Sequence, residues 1–80
     1  MFFYVYILLC KDGKYYVGYT QDFEARMLRH QKGQVNYTRS RLPVEVVSVI
    51  AIPDKYIALR LENYLKTGSG RAFAKKHLFK

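Results

Sequence analysis

The sequence predicts a single small α/β domain over residues 1–80, built in the order β-β-α-β-α-α. Three observations carry that prediction. The first quarter of the chain is aromatic and β-branched around a turn signal, two helical apolar stripes each follow an aspartate, and one hydrophobic run is boxed between prolines. Half the residues are hydrophobic, with eight tyrosines and five phenylalanines, which is enough large apolar surface for a folded core.

Residues 2–10 and 14–20 read as strands, and Lys11-Asp12-Gly13-Lys14 between them marks a hairpin. The second strand contains YYVGYT, where Gly18 weakens the strand unless something needs the backbone bare. Asp22 stands at an N-cap position, and Phe23, Met27 and His30 follow at helical spacing, so a helix runs from Phe23 to Lys32 until Gly33 stops it. The polar and basic segment 33–43 reads as a loop, because Pro43 disfavours helix at Leu42. VEVVSVIAI, residues 44–52, is the third strand, ended by Pro53. Asp54 then caps a helix from Lys55 to Thr67, with Ile57, Ala58, Leu61, Tyr64 and Leu65 on its apolar face. Ser69-Gly70 reads as a break before a basic third helix from Arg71 to Leu78, whose apolar residues are Ala72, Phe73 and Leu78.

The N-terminal run FFYVYILLC lacks a basic leader and a small-residue cleavage site and is too short to span a membrane, so it reads as a buried strand. Cys10 is the only cysteine, which excludes an intramolecular disulfide and a cysteine cluster for zinc and fits a reduced, cytoplasmic compartment.

The net charge of +8 is unevenly spread. No carboxylate lies between Glu24 and Glu45, where Arg26, Arg29, Lys32, Arg39 and Arg41 fall, or after Glu62, where Lys66, Arg71, Lys75, Lys76 and Lys80 fall. Two acid-free basic stretches point to a polyanionic partner, nucleic acid first. A merely basic, soluble surface is the plainer reading.

Of the six carboxylates, Asp12 belongs to a turn, Asp22 and Asp54 to caps, Glu24 to a first helical turn and Glu45 to a strand start. Glu62 alone has no such local role, beyond an i,i+4 pairing with Lys66. Arg26 and His30, four apart, share a helix face and can converge on one phosphate oxygen or leaving group.

Tyr4-Val5-Tyr6, then Tyr16-Val17-Gly18, then Arg26, His30 and a helical Glu62 closely resemble the GIY-YIG endonuclease family over essentially the whole chain. The downstream ENYLKTGSGRAF is similar to the small single-domain bacterial members. The chain is more distantly similar to the catalytic domains of an excision-repair endonuclease and of some homing endonucleases. The resemblance implies a three-stranded antiparallel sheet flanked by helices, and a metal-dependent endonuclease hydrolysing DNA, structure-selective in repair or recombination. It implies that Tyr16 activates the attacking water as a general base, Tyr6 positions groups by hydrogen bonding and Arg26 stabilises charge on the scissile phosphate. Glu62 then holds one divalent cation, Mg2+ or Mn2+, and His30 orients a tyrosine or assists proton transfer. Tyr4 and Val5 stand where the family name has Gly and Ile, and no asparagine follows Asn63, although several members carry one after the metal-binding glutamate.

A shared site requires a particular hairpin. A two-residue turn at Asp12-Gly13 sets Tyr6 opposite Tyr19 and throws Tyr16 to the other face, whereas a three-residue loop or a bulge puts Tyr6 and Tyr16 on one face. We expect the latter, with Gly18 bare so that substrate phosphate or the Arg26 helix can come close. Arg29, Lys32, Thr38, Arg39, Arg41, Lys66, Arg71, Lys75 and Lys76 are the expected nucleic-acid contacts, with Tyr37 and Thr38 as groove or loop-packing residues. The partner is DNA, with RNA as the alternative and no membrane. The rival functional readings are a nucleic-acid-binding module that cleaves weakly or not at all, and a protein-interaction domain.

Overall fold

A computed structural model describes residues 1–79; Lys80, the last cation of the basic tail, lies outside the described residues. The elements are β1 (Phe3–Cys10), β2 (Tyr15–Thr20), α1 (Phe23–Gln31), α2 (Asn36–Arg39), β3 (Val44–Ile52), α3 (Lys55–Leu65) and α4 (Gly68–His77). The three strands form one antiparallel sheet in the order β2-β1-β3, so the most apolar strand is central. A register shift at Ile7/Leu8 interrupts the β1–β3 ladder.

The hairpin has the three-residue loop. Tyr6 pairs with Gly18 and Leu8 with Tyr16, while the Cys10 N–H donates to the Lys14 carbonyl at 2.8 Å and Gly13 takes a φ of +83°. That left-handed residue closes the loop and fixes the register. Period-two alternation then sorts the side chains. Val5 and Ile7 of β1 face α3 and α4, packing with Ala58, Leu65 and Ala74 against Val17 and Tyr19. Tyr4 and Tyr6, with Tyr16 of β2, face α1 and α2.

Both aspartates cap as their positions dictate. Asp22 accepts from the Ala25 N–H and Asp54 from the Tyr56 and Ile57 N–H groups. Two expectations are corrected. The 33–43 segment contains the short helix α2, because Gly33 at φ +72° reverses the chain after α1. There the Gly33 N–H donates to the His30 carbonyl and Gln34 N–H to that of Arg29, which folds the segment back beneath α1.

The second correction is at Ser69-Gly70, which is not a break but the first turn of α4, capped by Thr67. Thr67 Oγ1 accepts from the Gly70 N–H at 3.1 Å. A Cβ on Gly70 would collide with the Tyr64 carbonyl and lie 2.7 Å from Leu65 Cα, so this glycine serves close helix approach. The buried positions of α4 are consequently Gly70 and Ala74, while Ala72 and Phe73 are exposed.

Candidate active site

The site begins at Gly18, and the structure changes the reason for that glycine. A Cβ there would stand inside the Tyr6 ring, 2.8 Å from Cε1 and closer still to Cζ and Oη. Gly18 makes room for Tyr6, not for substrate or for α1. The Tyr6 ring can therefore lie across the neighbouring strand, where it meets Phe23 edge-on at 5.8 Å and Tyr16 at 6.1 Å.

Tyr6 Oη lies 2.9 Å from His30 Nε2, and His30 Nδ1 lies 2.7 Å from Thr38 Oγ1. Tyr6, His30 and Thr38 are each completely buried. A neutral imidazole has one donor and one acceptor nitrogen, so this chain uses both. Burial, reinforced by the Arg26 and Arg29 charges, pulls the His30 pKa down to about 4. At neutral pH His30 is therefore an uncharged spacer that orients Tyr6. Burial and the neighbouring Tyr16 push the Tyr6 phenol up, with the Arg26 guanidinium beside it only partly opposing. Tyr6 keeps its proton and serves as a hydrogen-bonding group. Tyr16 is different, being partly exposed at the rim of an open groove.

Tyr6, Tyr16, Arg26 and His30 thus converge on the α1 face. Glu62 comes from a different helix. It belongs to α3, on the opposite face, with Lys66 Nζ 3.1 Å from its Oε2 and the carboxylate side chain only 17% exposed. The two halves meet around the free edge of β2. A groove of about 590 Å³ there is lined by Tyr16 and Tyr37 from one face and by Lys66, Arg71 and Lys75 from the other.

The other expected contacts divide. Arg29, Lys32, Arg39 and Lys76 are exposed, outside this groove. Arg41 is already engaged, with Nε 2.8 Å from Asp12 Oδ2, Nη1 donating to the Tyr37 carbonyl at 2.6 Å and Cζ 4.2 Å from the Tyr37 ring centroid. The Asp12 carboxyl is held below its usual range by the Lys14 backbone N–H and then by Arg41. Thr38 is the clear correction among these residues, because a completely buried side chain bonded to His30 has no face to offer a nucleic acid. Lys14, Tyr15 and Phe79 line the groove without having been singled out in the sequence. Turn, core and tail residues of this kind carry no local signal of a shared cavity.

Among the described residues no three of His, Cys, Asp and Glu gather as a metal cluster. Glu62, one largely buried carboxylate, fits a magnesium-type site, since that ion commonly takes one or two carboxylates and fills its shell with waters and phosphate. No helix among the described residues is long and apolar enough to cross a membrane.

A three-stranded sheet with two tyrosines meeting over a glycine, and arginine and histidine one helical turn apart beside them, defines a class. The chain matches the family model of the GIY-YIG catalytic domain over residues 2–76, and it belongs to that family. It is 46% identical over 69 residues to UPF0213 protein BH0048 of Halalkalibacterium halodurans, covering 85% of this chain and 73% of that one. A UPF0213 protein of Streptococcus pneumoniae is 42% identical over 64 residues, 79% of this chain and 65% of its own. The solution NMR structure of the UPF0213 protein BH0048 from Bacillus halodurans superposes with a TM-score of 0.61 at 43% identity, covering 95% of this chain and 82% of that one.

Proposed function

We propose that the protein is a metal-dependent endonuclease that hydrolyses phosphodiester bonds in DNA, acting in the reduced cytosol. The observation that carries the reading is the pairing of two unlike tyrosines, Tyr6 buried and bonded to His30 and Tyr16 at the groove, beside the Arg26 guanidinium.

Phosphodiester hydrolysis needs a positioned water, a base and positive charge where the phosphoryl oxygens gain negative charge. Tyr16 faces the groove and takes the proton of the attacking water. A phenol is a weak base at pH 7, so this step needs a cation at hand. Tyr6, completely buried and bonded to His30, keeps its proton and positions Tyr16 and Arg26 beside it. Arg26 stabilises the charge developing on phosphate. Glu62 would hold one Mg2+ or Mn2+, which when bound supplies Lewis-acid stabilisation and eases deprotonation of water. Phosphate contacts carry no sequence information, so selection rests on DNA structure, as repair or recombination would require.

One observation favours a second reading, a binding module with weak or no cleavage: the Glu62 carboxylate already has Lys66 as its partner. Glu62→Ala separates the two when cleavage of labelled DNA with Mg2+ or Mn2+ is measured beside DNA affinity. The nuclease reading predicts cleavage by the wild type that is lost in the variant with affinity retained. DNA binding by a wild type that never cleaves would leave the binding module.

A further inference from the structure

We propose that the groove around the β2 edge is a site for an unpaired stretch of polynucleotide, with a base stacked on Tyr37 and the flanking phosphates on Lys14, Arg71 and Lys75. The inference deepens the nuclease reading and rests on it for the chemistry next door, but its own basis is the shape and make-up of the groove.

Charge selects the class of occupant. Four cations line the groove, Lys14, Lys66, Arg71 and Lys75, and no carboxylate is among the lining residues. Lys66 is shared with Glu62, which leaves three for a ligand. A phosphate chain suits that rim.

Aromatic rings decide between paired and unpaired strands. A duplex buries the faces of its bases in the stack and presents phosphates and groove edges, so a surface built only for duplex needs cations and no rings. Here the cations are interleaved with two aromatic pairs from opposite faces of the sheet. Tyr16 and Tyr37 lie 5.5 Å apart between centroids, and Tyr15 and Phe79 stack at 3.7 Å and 7°. Rings between cations are what sequence-tolerant binding of single strands uses.

Tyr37 is the ring placed to receive a base. It remains 38% exposed, yet it is not loose. The Arg41 guanidinium lies over its ring, Arg41 Nη1 holds its carbonyl, and Asp12 ties Arg41 to the hairpin loop. A ring fixed before binding loses little freedom when a base stacks on it. Because Tyr16 lines the same groove, the unpaired nucleotide sits next to the phosphate that would be cut.

The test is fluorescence anisotropy in chelator-containing buffer, so that binding is read without cleavage. The probes are a labelled 12-nucleotide DNA single strand and the same sequence closed into a hairpin duplex. We expect the wild type to bind the single strand about tenfold more tightly than the duplex. Tyr37→Leu should lose that preference and Tyr37→Phe keep it, while Lys75→Ala should flatten the log–log salt slope on the single strand by roughly 0.7. Equal wild-type affinity for the two probes overturns the proposal, as does a preference that survives Tyr37→Leu; neither outcome depends on the loop variants being fully stable. A single-strand preference in a protein that never cleaves would keep this site and remove the nuclease reading. Cleavage of duplex by a protein without the preference would do the reverse.

Discussion

Thr38 looks like an ordinary surface threonine in the sequence, yet its Oγ1 is 2.7 Å from His30 Nδ1 and fixes the ring that holds Tyr6. Thr38→Val keeps the volume and leaves a buried nitrogen unpaired, which costs about 1–3 kcal/mol of stability. Thr38→Ser should recover most of it, and urea unfolding measures both. His30 gives the same contact a pH signature. Its folded pKa of about 4 lies below the ordinary value of about 6.5. The unfolded chain therefore binds the extra proton first, so the stability due to neutral His30 is complete above pH 6.5 and is lost as pH falls toward 4. The loss is on the order of 3 kcal/mol. Urea midpoints across that window should fall for wild type and stay nearly flat for His30→Gln; equal slopes would show that His30 is not held neutral.

Elements were legible where a local rule decides them. The paired aspartate caps and the three strands follow from spacing and turn chemistry, whereas a three-residue loop or a bulge is expected only because a shared tyrosine site demands it; the three-residue loop's register puts Tyr6 and Tyr16 on one face. Legibility failed where a distant partner sets the answer. Gly33 was readable as a stop, but not the return of α2 beneath α1, which brings Thr38 to a histidine eight residues earlier. Gly70 reads as a break in the sequence because the Tyr64 carbonyl it approaches comes near only when α3 and α4 pack. Gly18 stands out within its strand, but the cause, the cross-strand Tyr6 ring, shows only once β1 and β2 pair. The Gly33 turn makes an element-scale prediction. Gly33→Ala forces a side chain into φ +72° and should cost about 1–2 kcal/mol, with no close neighbour to blame, because the nearest atom to the new Cβ is Arg39 Cβ at 3.8 Å. An unchanged thermal midpoint would mean that the return of α2 does not depend on that conformation.

At the scale of the whole molecule, the sheet separates two functions and its edge reunites them. One face carries Tyr6 and Tyr16 with α1, the other carries α3 with Glu62 and the basic helix α4, and the groove at β2 touches both. The net charge of +8 brings a polyanion to that edge over several ångströms of solvent, more strongly at low salt. Such attraction belongs equally to a binder and to a nuclease. The chemistry assigned to Tyr16 and Glu62 distinguishes them, and Tyr16 carries the proton transfer. The most direct measurement is therefore single-turnover cleavage of labelled DNA with Mg2+ or Mn2+, comparing wild type with Tyr16→Phe at matched occupancy. The account predicts a rate about 10²–10⁴-fold lower in the variant with DNA affinity unchanged, the usual effect of removing a general base. A Tyr16→Phe protein that cleaves at the wild-type rate would contradict it.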